Sequence, residues 1–397
     1  MRPILASVLC LLLLSAVPPG SRAETLSIRP SLEGSERYDS NVLNAPPGRE
    51  SSDLVTRVTP KLAATLSALS ARTTLSGGVE SEFFSNHNEL NRWGMSKYLE
   101  LSSSDPIRVS PGSWIRPSAR YVESKDAVRR NQLTQLPVSG LSPSDTLVSG
   151  RIGTRTSSGS LQAGHLLTAN LETGAGIGAS RTTYFGGNIS QVAFSSYTAN
   201  ASADYRLSPV LTAGAYGTAS LDRFDNGNDV RDFTGGLGGT YLLSAGSSLS
   251  ARAGITAVRS DDAPGRIVRP SGRIEYRQLY RDLDAMLRAS IDYSAGSFGR
   301  ETKREDVTLR LSDRLSADWS LDTSLTWQAN RSLREPFPED FMSTQWTAGI
   351  AWSISRDARI RLGGELFRQW DRGSQGNDLY RESAMIGFDV GSDFVVF

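Results

Sequence analysis

The scarcest reactive side chains in this sequence are its two histidines, His87 and His165. A metal site or a nucleophile-base pair requires partner groups within hydrogen-bond reach. His87 sits between Asn86 and Asn88 in a polar stretch, which reads as a solvated or structural loop position. His165 alternates with Leu161, Ala163 and Leu167, so its neighbours along one strand face are apolar. Neither has a sequence partner for metal or triad work. The expectation is a non-enzyme with no catalytic residue, metal or cofactor; a hydrolase would instead lose activity on His87→Ala or His165→Ala.

Three glycine-rich or acidic stretches have bland readings. Gly174-Ala175-Gly176 resembles a phosphate loop only superficially, because no βαβ unit surrounds it. Gly235-Gly236 and Gly238-Gly239 lie in strand-like sequence, where glycine permits bending or close approach. Asp225-Asn226-Gly227-Asn228-Asp229 offers oxygen ligands without EF-hand spacing or a terminal glutamate, so it reads as a loop turn.

Arginine supplies the more suggestive pattern. Arg206, Arg252, Arg273, Arg277, Arg288, Arg310, Arg314, Arg359 and Arg361 share one parity within alternating segments, and guanidinium forks suit carboxylate or phosphate groups. Asp204, Glu275, Asp284, Asp292, Asp306, Asp322, Glu365 and Asp389 share the same face. These charges either pair across strands and hydrate a wall, or set a transverse field across a lumen. Both readings stay open here.

The elements that must carry them are alternating stretches of ten to twelve residues. Tight turns fall at Leu207-Ser208-Pro209, Ser244-Ala245-Gly246-Ser247, Tyr280-Arg281-Asp282, Ser316-Ala317-Asp318 and Ser355-Arg356-Asp357. They recur every 35 to 40 residues or so, roughly two membrane-length strands with a turn and a long loop. Long polar connections alternate with them: Asp222 to Asp232, Ser260 to Arg269, Gly296 to Glu305, Arg331 to Ser343 and Asp371 to Arg381. Trp319, Leu321, Thr323, Leu325 and Trp327 line one face, against Ser320, Asp322, Ser324, Thr326 and Gln328. Trp346, Ala348, Ile350, Trp352 and Ile354 repeat the scheme, as do Leu283, Ala285, Leu287, Ala289, Ile291 and Tyr293. The first face suits lipid, with aromatics at headgroup level, and the second suits water.

Before residue 24, Arg2, an apolar run from Ile4 to Val17 and Ser21-Arg22-Ala23 read as a signal peptide. The domain expectation is a leader at 1–23 and one barrel at 24–397. Cys10, the only cysteine, would leave with the leader, and Leu9 before it lacks the small residue of a lipoprotein signal. Hydrophobic residues make up 38% of the chain, and mean hydropathy is -0.30, as expected when half of each strand faces water. Loss of Arg2 and Arg22 takes the 43 basic residues to 41, against 42 acidic ones. Such balance leaves no basic excess for nucleic acid.

The first half continues the pattern less clearly. Strands are expected from Thr25 to Tyr38, through Leu54 to Leu66, through Leu75 to Phe83, from Trp93 to Ser102 and from Trp114 to Glu123. A long polar loop follows from Lys125 to Asp145, and element boundaries are indistinct between Thr173 and Ser196, where Gly174 to Gly178 reads as strand or loop. The fold class is therefore all-β, a transmembrane antiparallel up-and-down barrel of about 18 strands, with 16 as the alternative. A wall that large encloses an aqueous lumen unless something plugs it. The last strand points Ala384, Ile386, Phe388 and Val390 outward, with the terminal Phe397 out of phase.

Glu36-Arg37-Tyr38-Asp39-Ser40-Asn41-Val42, followed by Asp53-Leu54-Val55 and Pro60, resembles the opening of the β-barrel porin 2 family of outer-membrane proteins. Tyr205-Arg206-Leu207-Ser208-Pro209 and Asp229-Val230-Arg231-Asp232 look like the same family. The resemblance implies the outer membrane of a Gram-negative cell, surrounding lipid, a polysaccharide cargo, and periplasmic polysaccharide-export proteins as partners. It carries no catalytic residues. Exopolysaccharide export is the function it implies, and a general diffusion porin for small solutes is the alternative.

Overall fold

The computed structural model describes residues 25–68, 71–125, 153–186, 192–261, 265–295, 301–333, 340–372 and 378–395. Strands dominate it, in the order β1 (Thr25–Asp39), β2 (Asp53–Ala68), β3 (Ala71–Phe84), β4 (Arg92–Ser103), β5 (Ile107–Ser110), β6 (Ser113–Ser124) and β7 (Gly153–Leu166). Next come β8 (Leu171–Phe185), β9 (Phe194–Ser208), β10 (Leu211–Phe224), β11 (Asp229–Ser244), β12 (Ser247–Ser260), β13 (Ile267–Tyr280) and β14 (Leu283–Ala295). The chain continues through β15 (Glu301–Asp313), β16 (Trp319–Ser332), β17 (Asp340–Ser353), β18 (Ala358–Asp371), β19 (Leu379–Gly391) and β20 (Phe394–Val395). The signal-peptide stretch, the Lys125 to Asp145 stretch beyond Lys125, and Phe397 fall outside the described residues.

Successive strands pair antiparallel, and β19 returns to β1 with Ser31 opposite Gly391 and Asp39 opposite Ser383. The short β5 continues the lane of β4 against β6, and β20 continues the lane of β19 against β1. The result is a closed wall of 18 strands, the number the hairpin rhythm predicts. The ambiguous Gly174 to Gly178 stretch is strand, paired to β7 and β9 along its whole length.

The ladder registers sort side chains as alternation predicts. Trp319, Leu321, Thr323 and Leu325 face Trp352, Ile350, Ala348 and Trp346 across one outer surface. Mid-strand Leu237 is 69% exposed and Ile177 63%, a placement that suits hydrocarbon and not water. Aromatics gather near both ends of this apolar belt. Trp319 and Trp352 stack near the turn end, while Phe83 and Trp93 meet edge to face near the long-loop end.

Strands of 13 to 16 residues, such as β2, β11 and β14, are longer than the roughly 9 to 11 a tilted membrane strand needs. The surplus is at the long-loop end, where the outer face turns charged. Arg155 bonds Glu123, and Arg231 bridges Asp229 and Asp261. Apolar clusters also lie at this end, on the inner side. Val42, Val55 and Phe84 form one; Phe194, Phe224, Val230, Val258, Tyr293 and Ala295 form the other.

Candidate functional site in the lumen and its mouth

The inner face is polar, and pairing divides its predicted arginines. Arg277 is bidentate to Asp284 at 2.7 and 3.1 Å, while Arg361 lies 3.6 Å from Asp389. Arg314 departs from the expectation of a lumen contact: it falls beyond the end of β15, and its guanidinium donates to the turn carbonyls of Ser316 and Ala317. It ties a turn whose carbonyls need donors. Arg206, Arg252, Arg273, Arg288, Arg310 and Arg359 keep the inward parity and have no carboxylate within ion-pair distance among the described residues.

Four of these arginines form a band on β12 to β15. Arg252 is opposite Arg273, Arg288 is opposite Glu275 one step further along, and Arg310 is opposite Met286. Carboxylates on the same wall take other donors: Ser290 donates to Asp306, Ser312 to Asp322 and Gln345 to Glu365. Arg252 lies 5.3 Å over the ring of Tyr216. Gly238 opposite makes room, since a Cβ there would come within 2.7 Å of the Arg252 Cγ. The arrangement can attract carboxylate or phosphate groups through guanidinium donors that no carboxylate of the wall, among the described residues, holds in an ion pair.

A second set of inward side chains fills the mouth. Arg381 of β19 is bidentate to Asp39 of β1 at 2.7 and 3.1 Å and donates to Asn44. Arg57 bridges Glu80 and Glu82, each at 3.1 Å, and Arg37 reaches Asp39 at 3.3 Å. Asn41 folds the connection from 40 to 52 back by accepting from Ala45 N–H and donating to the carbonyls of Ala45 and Tyr380. Val42 is thereby buried on Val55 and Phe84. Alternation places Arg37 and Arg57 inward, but the tucked loop needs a partner far away in sequence.

The β14-β15 hairpin narrows the lumen from another direction. The β13-β14 ladder stops at Gly272 opposite Ile291, although both strands continue. Pro270 lacks an N–H for a ladder, which favours a break there. Beyond it, upper β14 contacts β11 and β12 instead of β13 alone. Tyr293 was expected outward by parity, with Ile291; it is instead 8% exposed and packs with inward Phe224, Val230 and Val258. The hairpin has passed inside the neighbouring wall, so its outer face meets that wall's inner face. Glu301 fixes it by accepting from Ser260 N–H at 3.1 Å and, through its carbonyl, from Leu333 N–H.

Both histidines have partners that sequence inspection missed. Ser113 Oγ is 2.8 Å from His165 Nδ1 on the outer wall near a turn. His87 Nε2 is 2.9 Å from Ser51 Oγ, and its Nδ1 is 2.9 Å from the buried Asp53 carboxylate. Each contact joins a strand end or loop to the next hairpin, so sequence adjacency gave no sign of it. The Asp225 to Asp229 stretch is a turn as expected, with Gly227 at positive φ and Asp225 held by Arg181.

No family model matches the chain, and no curated protein matches its sequence. Solved structures are similar to this chain over most of their length. Pseudomonas aeruginosa OccK3 (OpdO) is 12% identical over 93% of this chain and 96% of that one, with a TM-score of 0.45. OpdK with vanillate, from the same organism, is 11% identical over 92% and 99%, with a TM-score of 0.46. OccK2 (OpdF) in complex with glucuronate is 11% identical over 95% and 99%, with a TM-score of 0.47.

Proposed function

We propose that this chain is an outer-membrane diffusion porin of a Gram-negative cell, admitting small polar solutes and favouring those that carry carboxylate or phosphate. The observation that carries the reading is the band of Arg252, Arg273, Arg288 and Arg310, unpaired on the inner face of a closed wall. An 18-strand wall is wide enough for water and solute. The two intrusions at the mouth would trim that width, favouring small solutes over a polymer. Passage requires contacts strong enough to recruit and weak enough to release, which single guanidinium contacts in water meet.

Planar-bilayer recordings of the purified protein test this. A steady conductance is expected, with a reversal potential under a salt gradient that reports anion preference. Arg252→Gln with Arg273→Gln should move that potential toward the cation side. A silent protein, or a cation preference in the unmodified chain, would reject the porin reading.

Polysaccharide export is the second reading, supported by the Glu36 to Val42 and Asp53 to Val55 motifs, whose Arg37, Asp39, Asn41, Val42, Asp53 and Val55 are all buried at the mouth. It predicts a closed resting channel and loss of surface polysaccharide in a deletion strain.

A further inference from the structure

Beyond the channel, we propose that Ser51, His87 and Asp53 form a catalytic site at the long-loop mouth, with Ser51 as nucleophile in the hydrolysis of O-acyl esters. Ser51 Oγ and His87 Nε2 are 2.9 Å apart, and His87 Nδ1 and Asp53 Oδ2 are 2.9 Å apart. These are the two contacts a serine-histidine-carboxylate relay requires, on the correct ring nitrogens. An ionised carboxylate can only accept, so the proton on Nδ1 belongs to the Asp53 bond, and Nε2 presents its lone pair to the serine hydroxyl.

The carboxylate is held more firmly than loop anchoring alone demands of a serine beside it. Asp53 is fully buried and accepts backbone N–H bonds from Leu54 at 2.8 Å, Asn86 at 3.0 Å and His87 at 2.9 Å. Asn86 adds a side-chain donor at 3.2 Å. Nothing in that anchoring uses the Ser51 hydroxyl, which caps no backbone group and bonds the histidine. The histidine side chain is 18% exposed and Ser51 half-buried, so an ester can approach from the loop side. His165 makes a useful contrast: it has a serine but no carboxylate among the described residues.

In the reaction, Ser51 Oγ bonds the acyl carbon as its proton passes to His87 Nε2, and Asp53 stabilises the imidazolium. The ester C–O bond breaks, and the alcohol leaves with that proton. Water, deprotonated by the same nitrogen, then bonds the acyl carbon and releases the carboxylic acid and Ser51. Asp53 acts only through the ring and is a positioning residue.

The test is covalent labelling of the full-length folded protein in detergent with a fluorophosphonate, which bonds Ser51 Oγ as fluoride departs, alongside p-nitrophenyl ester hydrolysis. Peptide mapping should place the label on Ser51. Labelling should vanish in Ser51→Ala, slow by about 100-fold or more in His87→Ala, and persist in Ser113→Ala. Asp53→Asn should move the pH profile of labelling, a change that loop anchoring alone would not produce. Heat-dependent gel mobility and conductance of Ser51→Ala, which removes one oxygen, should match the parent. An unlabelled parent, or equal labelling in Ser51→Ala, would overturn the proposal without touching the porin reading.

Discussion

Arg381 shows how a single side chain can hold the mouth of a large barrel. Its guanidinium and the Asp39 carboxylate are 2% and 0% exposed, so neither has water to fall back on. Removing Arg381 takes the bidentate partner from a buried carboxylate and leaves it only the longer contact from Arg37 at 3.3 Å. Arg381→Ala should therefore cost about 3 to 5 kcal/mol, read as a lower urea midpoint in detergent. Replacing both partners together, Arg381→Met with Asp39→Leu, should recover much of the loss. Strand alternation makes the inward direction of Arg37 and Asp39 legible. It does not show what they meet, because Arg381 lies 342 residues from Asp39. The same limit hid Ser51 from His87, which lie 36 residues apart in different hairpins. Side chains pointing into a common space are sorted by parity but partnered only by the closed wall.

At the scale of elements, the hairpin of β14 and β15 departs most from regular alternation. Outward parity holds through Ile291 and fails at Tyr293, because the ladder to β13 has ended and the strand has moved behind its neighbours. Its seat is apolar: Phe194 and Phe224 lie 5.4 Å apart between ring centroids, with Val230 and Val258 beside them. Tyr293→Ala together with Phe224→Ala should loosen that seat. Single-channel conductance is expected to rise, and liposomes carrying the variant should swell in larger sugars than those carrying the parent. Pro270, two residues before the point where the ladder to β14 ends, has no N–H to offer a further rung. The regular hairpins from β9 onward were readable because their turns are short and their faces clean. Gly174 to Gly178 were not, because glycine writes no pattern on either face.

Over the whole molecule, the outer surface is a chemical record of depth. Leu237 stands mid-belt at 69% exposure, while Arg231, on the same strand face six residues away, lies among the charges of the rim. Leu237→Arg should cost about 2 to 4 kcal/mol in a bilayer, measured by reversible unfolding into urea from lipid vesicles. Arg231→Leu should change that value little.

The pairing of β1 with β19 has a consequence for how the molecule comes into being. Arg29 meets Asp393, and Asn41 donates to the carbonyl of Tyr380, so the first strand finds its second neighbour only after nearly every other residue has been made. Until then its edge stays unsatisfied, a template for wrong partners. The Arg381-Asp39 bond spans that same seam. The mouth therefore cannot be assembled ahead of closure, and its buried charges act as a proofreading step: a wall joined out of register would deprive Asp39 of its bidentate partner across the seam and leave it the single contact from Arg37.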